Sequence, residues 1–405
     1  MKPALPARGS APTLGMALLL ATLSMVSPLS IDTFFPSFRA IAAELNLSDW
    51  EVQQTITAYL VPYACLTLIH GPLSDALGRR RMVIVGTMLY TLASIGCAFA
   101  PSFALLLVGR VFQGMAAGVA PTIARAVVRD LYDGSDAQRL MGLMMMIFSI
   151  APALGPIIGG WLHVAFGWRA VFGFMGFVGA ALVLASWLAL PETHPKEKRI
   201  RFHPGELLRS TLSVARHGEF MLLAVACGCT IGAVLAYLGS APSIVLDQWH
   251  LSETQFAWLF LPVISGFMLG SFLSNRLAGR WSRLRQLRLG FALLIGGPIF
   301  FLALNALMPH PPILPQQIYL FVVAAGAQLI FPMLTLEMLD LFPNSRGAAA
   351  SVSSFITLGC GSIVMGVLVP ALDSQLPKLG VLSLVAACAG VVAWSLAHRR
   401  KIAAP

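Results

Sequence analysis

Apolar residues run along this chain in long blocks, cut by short stretches rich in turn formers and charge. A helix needs about 20 predominantly apolar residues to cross the hydrocarbon core of a bilayer. Blocks of that size predict spans over 14–37, 50–70, 82–100, 103–126, 139–164 and 168–190, and again over 219–245, 253–275, 287–308, 316–340, 347–371 and 378–397. The fold class expected is all-α integral membrane, with twelve transmembrane helices. The longest polar interruption, PETHPKEKRIRFHPGELLRSTLSVARHGEF, separates the sixth block from the seventh. It divides the chain into an N-terminal six-helix bundle over 1–190, a cytoplasmic central linker over 191–217 and a C-terminal six-helix bundle over 218–405. In the linker, Leu207, Leu208, Leu212 and Ala215 beside Arg209 and Arg216 fit either a short helix on the membrane face or a solvated connection.

The two halves repeat one another. Leu73-Ser74-Asp75-Ala76, within the break GPLSDALGRRR at 71–81, has a worn copy in Leu273-Ser274-Asn275-Arg276, and Gly279-Arg280 follows at nearly the same offset as Gly78-Arg79. Leu47-Ser48 before the second block matches Leu251-Ser252 before the eighth, and Pro62 matches Pro262. Ser48 with Glu51 and Ser252 with Gln255 predict capping boxes, in which side chains satisfy the free amides that open a helix. Asp130-Leu131-Tyr132 has a counterpart in Asp340-Leu341-Phe342. Two pseudo-symmetric bundles facing each other would enclose a central cavity.

Composition agrees with the spans. With 57% hydrophobic and 11% charged residues among 405, the chain has too little polar surface to coat a soluble domain of its size. The net charge of +10 raises the possibility of nucleic acid, yet the basic residues gather in alternate breaks: Arg79, Arg80 and Arg81, then Arg125, Arg129 and Arg139, the linker, and Arg276 to Arg288. Arg39, Arg169 and Lys378 are the few on the other side. By the positive-inside rule both termini are expected in the cytoplasm. No aromatic residues interleave the basic ones, so nucleic acid is not an expected partner. Lys2, Arg8 and the apolar run from Gly15 mimic a signal peptide, but no small-residue cleavage site precedes Asp32, and the run reads as the first span. Cys65, Cys97, Cys227, Cys229, Cys360 and Cys388 all fall in apolar runs and read as buried small hydrophobes, without companions at metal-ligand spacing.

The break at 71–81 meets the pattern Gly-x-Leu-x-Asp-x-x-Gly-Arg-basic with Gly71, Leu73, Asp75, Gly78, Arg79 and Arg80. By it the whole chain resembles the major facilitator superfamily, with Ala76 where that family usually has Arg. Arg110-x-x-Gln113-Gly114 and Gly155-Pro156-x-x-Gly159-Gly160 resemble the second motif and the antiporter motif of its drug:proton antiporters. Ser30-Ile31-Asp32-Thr33-Phe34-Phe35-Pro36, the run from Arg125 to Asp130, and Ala151-Pro152-x-x-Gly155-Pro156 resemble the Bcr/CflA branch. The resemblance implies a bacterial inner-membrane, multi-pass antiporter that exports small hydrophobic drugs or toxic metabolites by alternating access. It implies no cofactor beyond the proton motive force, and a monomer whose partners are its substrate, protons and the bilayer.

Asp32 is the acid placed well inside an apolar run of the N-terminal half, where an ionisable group is costly unless it is paired or faces water. A carboxyl group holds its proton in apolar surroundings and releases it beside a cation or water, which is what proton coupling requires. The alternative is a helix-end aspartate reaching the outer interface. Arg110 lies about eight residues into its span, at roughly 12 Å depth, where it either pairs with Asp32 directly or through water, or packs on backbone carbonyls of the first helix. Gly155, Pro156, Gly159 and Gly160 allow close helix approach and a bend, or serve ordinary packing. Asp75, Arg79 and Asp130 form a cytoplasmic gate cluster or act as topology charges alone. For Glu337 and Asp340, Arg346 or Arg276 is the expected partner. A substrate cavity of adaptable apolar residues is expected at Phe34, Met144, Phe148, Leu235 and Tyr237, against lipid-facing or core packing; Met145 and Met146 join that methionine run.

The rival within the same fold is an importer or symporter of a small metabolite. Gly155-Pro156 favours export, and the scarcity of polar residues inside the spans disfavours a sugar site. An enzyme is not expected, since no nucleophile, base and acid set falls within the spans, and His163, His250 and His310 stand singly at loop ends.

Overall fold

The computed structural model describes residues 13–199, 202–277, 279–308, 311–343, 345–372 and 375–403; Lys2, Arg8 and His310 lie outside them. Among the described residues there are no strands and twelve helices long and apolar enough to cross a membrane. They are α1 Leu14–Leu45, α2 Asp49–Leu77, α3 Arg79–Ala98, α4 Phe103–Leu131, α5 Asp136–Phe166, α6 Trp168–Ala189, α7 Gly218–Gln248, α8 Glu253–Leu277, α9 Arg283–Leu307, α10 Ile313–Asp340, α11 Arg346–Ala371 and α12 Leu376–Arg399. The linker carries a short helix at Pro204–Ala215. The chain separates into two compact units, Met1–Leu207 and Leu208–Pro405.

Several helices outrun their apolar blocks. Gly71–Leu77 continues α2 as helix, so the break expected there shrinks to Gly78. The hydrocarbon core demands apolar side chains only over its own thickness, and polar residues can prolong a helix into the headgroup zone. Ser74 helps, donating its hydroxyl to the Gly71 carbonyl at 2.7 Å. Gly78 then turns the chain with φ +97°, and Gly279 stands in the same left-handed region at +74°. The sequence repeat is therefore also a backbone repeat. Both capping boxes form: the Ser48 and Ser252 amides donate to Glu51 Oε2 at 2.8 Å and to Gln255 Oε1 at 2.9 Å.

Within the first unit α1 packs on α5, α2 and α3 on α4, and α3 on α6. Within the second the same pattern recurs six helices on: α7 on α11, α8 and α9 on α10, and α9 on α12. The helix of α4 breaks at Gly118, and Pro121 follows. Proline has no N–H, so the Ala117 carbonyl loses its helical donor. The buried Ser27 hydroxyl of α1 takes its place at 2.9 Å. Beside it, His70 Nε2 of α2 donates to the Met115 carbonyl at 3.1 Å.

Two expectations need correction. Cys65 and Cys388 are exposed on their helices, so only part of the cysteine set is buried. Arg283 pairs with Glu337 at 3.8 Å and with Asp340 at 3.9 Å, a cation outside the expected Arg346 and Arg276. Arg283 opens α9, directly across from the end of α10 that carries both acids.

Candidate functional site

Arg110 of α4 has no exposed area. Its Nε donates to the Thr55 carbonyl at 3.2 Å, and Nη1 donates to the Ser30 carbonyl at 3.2 Å and to Gln113 Oε1 at 3.0 Å. Three aromatic rings face the guanidinium: Tyr59 at 4.5 Å, Phe34 at 4.6 Å and Phe172 at 6.0 Å from its central carbon. Ring faces and carbonyl oxygens are electron-rich, so together they stabilise a buried cation that lacks a counterion. Among the described residues Arg110 joins no ion pair, and its Nη2 is buried without a hydrogen-bond partner. Arg110 thus bonds to a carbonyl of the first helix, at Ser30.

Neighbouring side chains extend this polar core. Gln113 donates to Ser94 Oγ at 2.7 Å, Tyr59 donates its hydroxyl to the Ser27 carbonyl at 3.1 Å, and the Ser30 and Tyr90 hydroxyls lie 2.5 Å apart. Ser94 and Tyr90 come from α3, so the network ties α1, α2, α3 and α4 around one cation. In sequence, Gln113 was visible as a motif position, whereas Tyr59, Tyr90 and Ser94 gave no sign beyond being polar inside apolar runs.

Asp32 ends the regular helical stretch Leu14–Asp32 of α1, two residues beyond the Ser30 carbonyl that Arg110 holds. It is half-buried, and its carboxyl makes no ion pair or side-chain hydrogen bond among the described residues. The antiporter-motif glycines of α5 press on the same place. A Cβ at Gly155 would stand 3.0 Å from the Asp32 Cβ, and one at Gly159 would stand 1.7 Å from the Thr33 carbonyl oxygen. Pro152 and Pro156 lie inside α5, and Gly160 is buried on it. The structure thus brings Asp32 against the glycine motif, whereas Arg110 reaches the first helix at the Ser30 carbonyl and has no contact with the Asp32 carboxyl among the described residues.

At the far end of the same unit, Arg79 Nη1 pairs with Asp75 Oδ1 at 2.6 Å and Nε with Asp130 Oδ2 at 3.2 Å. Nη1 also donates to Ser74 Oγ. The segment after α6 joins this cluster. Glu192 Oε1 accepts from the Arg79 amide at 2.9 Å, Thr193 donates to Asp130 at 2.8 Å, and Arg199 pairs with Glu192 at 3.4 Å. Arg80 donates to the Trp187 carbonyl at 2.5 Å. Glu192, Thr193 and Arg199 were not expected here, because they open a stretch that reads as linker.

The motifs and twelve spans accord with a match to the family model described as Major Facilitator Superfamily, over residues 20–370. The chain belongs to the major facilitator superfamily. A relative named an uncharacterized MFS-type transporter, YdgK of Bacillus subtilis (strain 168), is 32% identical over 389 residues, covering 94% of each chain. A bicyclomycin resistance protein homolog of Haemophilus influenzae is 27% identical over 365 residues, covering 89% of this chain and 91% of its own. The resemblance to the Bcr/CflA branch is supported by relatives named for bicyclomycin and chloramphenicol resistance. A crystal structure of a peptide transporter POT superposes with TM-score 0.74 at 15% identity, over 98% of this chain and 96% of that one. At that identity it bears on the major facilitator fold alone.

The residues expected to line a cavity are scattered in this superfamily member. Phe34 has no exposed area and packs on Arg110, and Met144 is buried. Tyr237 is also sealed: its hydroxyl donates to Gln316 Oε1 at 2.5 Å, where Trp249 Nε1 also donates at 3.0 Å, and its ring meets Phe301 and Tyr319 edge-on. A buried phenol needs an acceptor, and Gln316 supplies it from the start of α10. Leu235 is half-buried, and Phe148, Met145 and Met146 are exposed.

Proposed function

We propose that this major facilitator exports small hydrophobic drugs or toxic metabolites across the bacterial inner membrane in exchange for protons, by alternating access, with both termini in the cytoplasm. Asp32 carries the proton. The observation behind this reading is a half-buried aspartate with an unpaired carboxyl, whose Cβ and backbone pack against the antiporter-motif glycine Gly155. Relatives named for drug resistance supply the substrate class. Arg110 stays charged and tunes the site through the α1 backbone at Ser30. Asp75, Arg79 and Asp130 act as a gate latch, reinforced by Glu192.

A proton moving down 100 mV yields about 2.3 kcal/mol, and each pH unit adds about 1.4 kcal/mol. One proton per neutral drug molecule then sustains a drug gradient of about 500-fold. Inverted vesicles carrying Asp32→Asn test the assignment. Proton-driven accumulation of dye or drug is expected to vanish, along with substrate-induced proton release from the detergent-solubilised protein. Accumulation at the wild-type rate in that variant would remove Asp32 as the coupling acid.

A further inference from the structure

On the outer face of the first unit, α3 and α6 frame a crevice of about 290 Å³ whose lining includes Met88, Leu92, Ala180, Leu184 and Trp187. Gly179 lets the two helices meet at its floor, where a Cβ would come within 2.5 Å of Thr91 Oγ1. Along α3, Arg81, Val85, Met88 and Leu92 follow at spacings of four, three and four residues, and all are exposed. This is one helix stripe, apolar except for the cation at its head. At 1.5 Å per residue, Met88 and Leu92 lie about 10 and 16 Å below Arg81. Half of a 30 Å hydrocarbon core is about 15 Å, so the stripe is one leaflet deep.

Trp187 joins the two ends of this surface. Its carbonyl accepts from Arg80 at 2.5 Å, at the charged rim, and the residue also lines the crevice. Arg81 beside it is exposed and has no partner among the described residues. An occupant that satisfies both parts must carry an anion at one end and a flexible apolar chain reaching one leaflet down. A neutral drug lacks the anion, and a free anion has no use for the crevice.

We propose that the α3–α6 face holds an anionic phospholipid, its acyl chain in the crevice and its phosphate on Arg81. Arg80 holds Trp187 in place as the collar between headgroup and chain. The inference rests on the membrane-spanning architecture and not on drug export, so an Asp32→Asn protein that transports nothing still binds the lipid.

Trp187 serves as reporter. The full-length protein is reconstituted in phosphatidylcholine vesicles containing increasing mole fractions of phosphatidylglycerol with brominated acyl chains, and the Trp187 signal is taken as the difference between wild type and Trp187→Phe. Half-quenching is expected at a lower fraction of brominated phosphatidylglycerol than of brominated phosphatidylcholine. Arg81→Gln is expected to raise the phosphatidylglycerol fraction required by about fivefold, the scale of one basic residue at an anionic surface. Arg81→Lys keeps the wild-type fraction, and Ala180→Phe, which fills the crevice without adding a fluorophore, removes the preference of the Trp187 signal for phosphatidylglycerol. Melting of each variant at the wild-type temperature separates these effects from misfolding. Equal half-quenching by the two lipids, no effect of Arg81→Gln, or relief of quenching by a neutral drug regardless of Arg81 would each overturn the proposal.

Discussion

Gly159→Ala places a methyl group where the structure has the Thr33 carbonyl oxygen, 1.7 Å from the added carbon. An ordinary carbon–oxygen contact needs about 3.3 Å, so α5 must retreat from α1 by about 1.6 Å at this point. The obstacle is backbone on both sides, and no rotamer change relieves it. Overpacking of this kind costs about 1–3 kcal/mol, which on the scale of a 150–250-residue domain lowers the melting temperature by about 2–12 °C. Gly155→Ala meets Asp32 Cβ at 3.0 Å and needs a shift of only about 0.5 Å to reach normal carbon contact, so its loss is smaller. Gly142, on the same helix, has nothing within 4 Å of an added Cβ. There alanine should raise stability by about 0.5–1 kcal/mol through helix propensity alone. Thermal unfolding of the three variants in one detergent checks the order Gly142→Ala, wild type, Gly155→Ala, Gly159→Ala. The reasoning fails if Gly159→Ala melts with wild type, or if Gly142→Ala falls as far as Gly159→Ala.

Arg110→Lys keeps the charge, but one ammonium group cannot reach the Thr55 and Ser30 carbonyls and Gln113 together; a loss of about 1–3 kcal/mol in thermal unfolding is expected. Asp75→Asn and Asp130→Asn each leave Arg79 one carboxylate, so the double variant should lose about 0.5–1 kcal/mol more than the sum of the singles, read from a double-mutant cycle. Tyr237→Phe removes the hydroxyl bonded to Gln316 and should cost about 1 kcal/mol of stability while leaving drug accumulation in vesicles at the wild-type level. A large shift in drug selectivity in that variant would return Tyr237 to the binding surface.

The helices were legible because the bilayer imposes a length and a composition that each block had to meet, and the charge cluster of Asp75, Arg79 and Asp130 because its members sit in recognisable runs. The surroundings of Arg110 were not. Its acceptors include the carbonyls of Ser30 and Thr55, and every residue has a carbonyl, so nothing in the side-chain sequence marks the ones that a fold will turn toward a cation. Tyr237 and Gln316 lie 79 positions apart in sequence, and nothing in either run marks the other as its partner. Glu192 and Thr193 were hidden for a different reason: a proline-bounded, charged stretch reads as solvated whether it floats or folds back. Helix ends were misjudged where polar residues prolong a helix beyond the apolar core, as at Gly71–Leu77.

The bond from Ser27 to the Ala117 carbonyl exists because Pro121 withholds the amide that a helix would otherwise supply. The two positions, 94 apart along the chain, are therefore a single unit of inheritance. A lineage that replaces the proline restores the helical donor and releases residue 27 to drift toward alanine, while one that first loses the serine leaves a buried carbonyl bare. The order in which the two substitutions can accumulate is fixed by the fold, proline first.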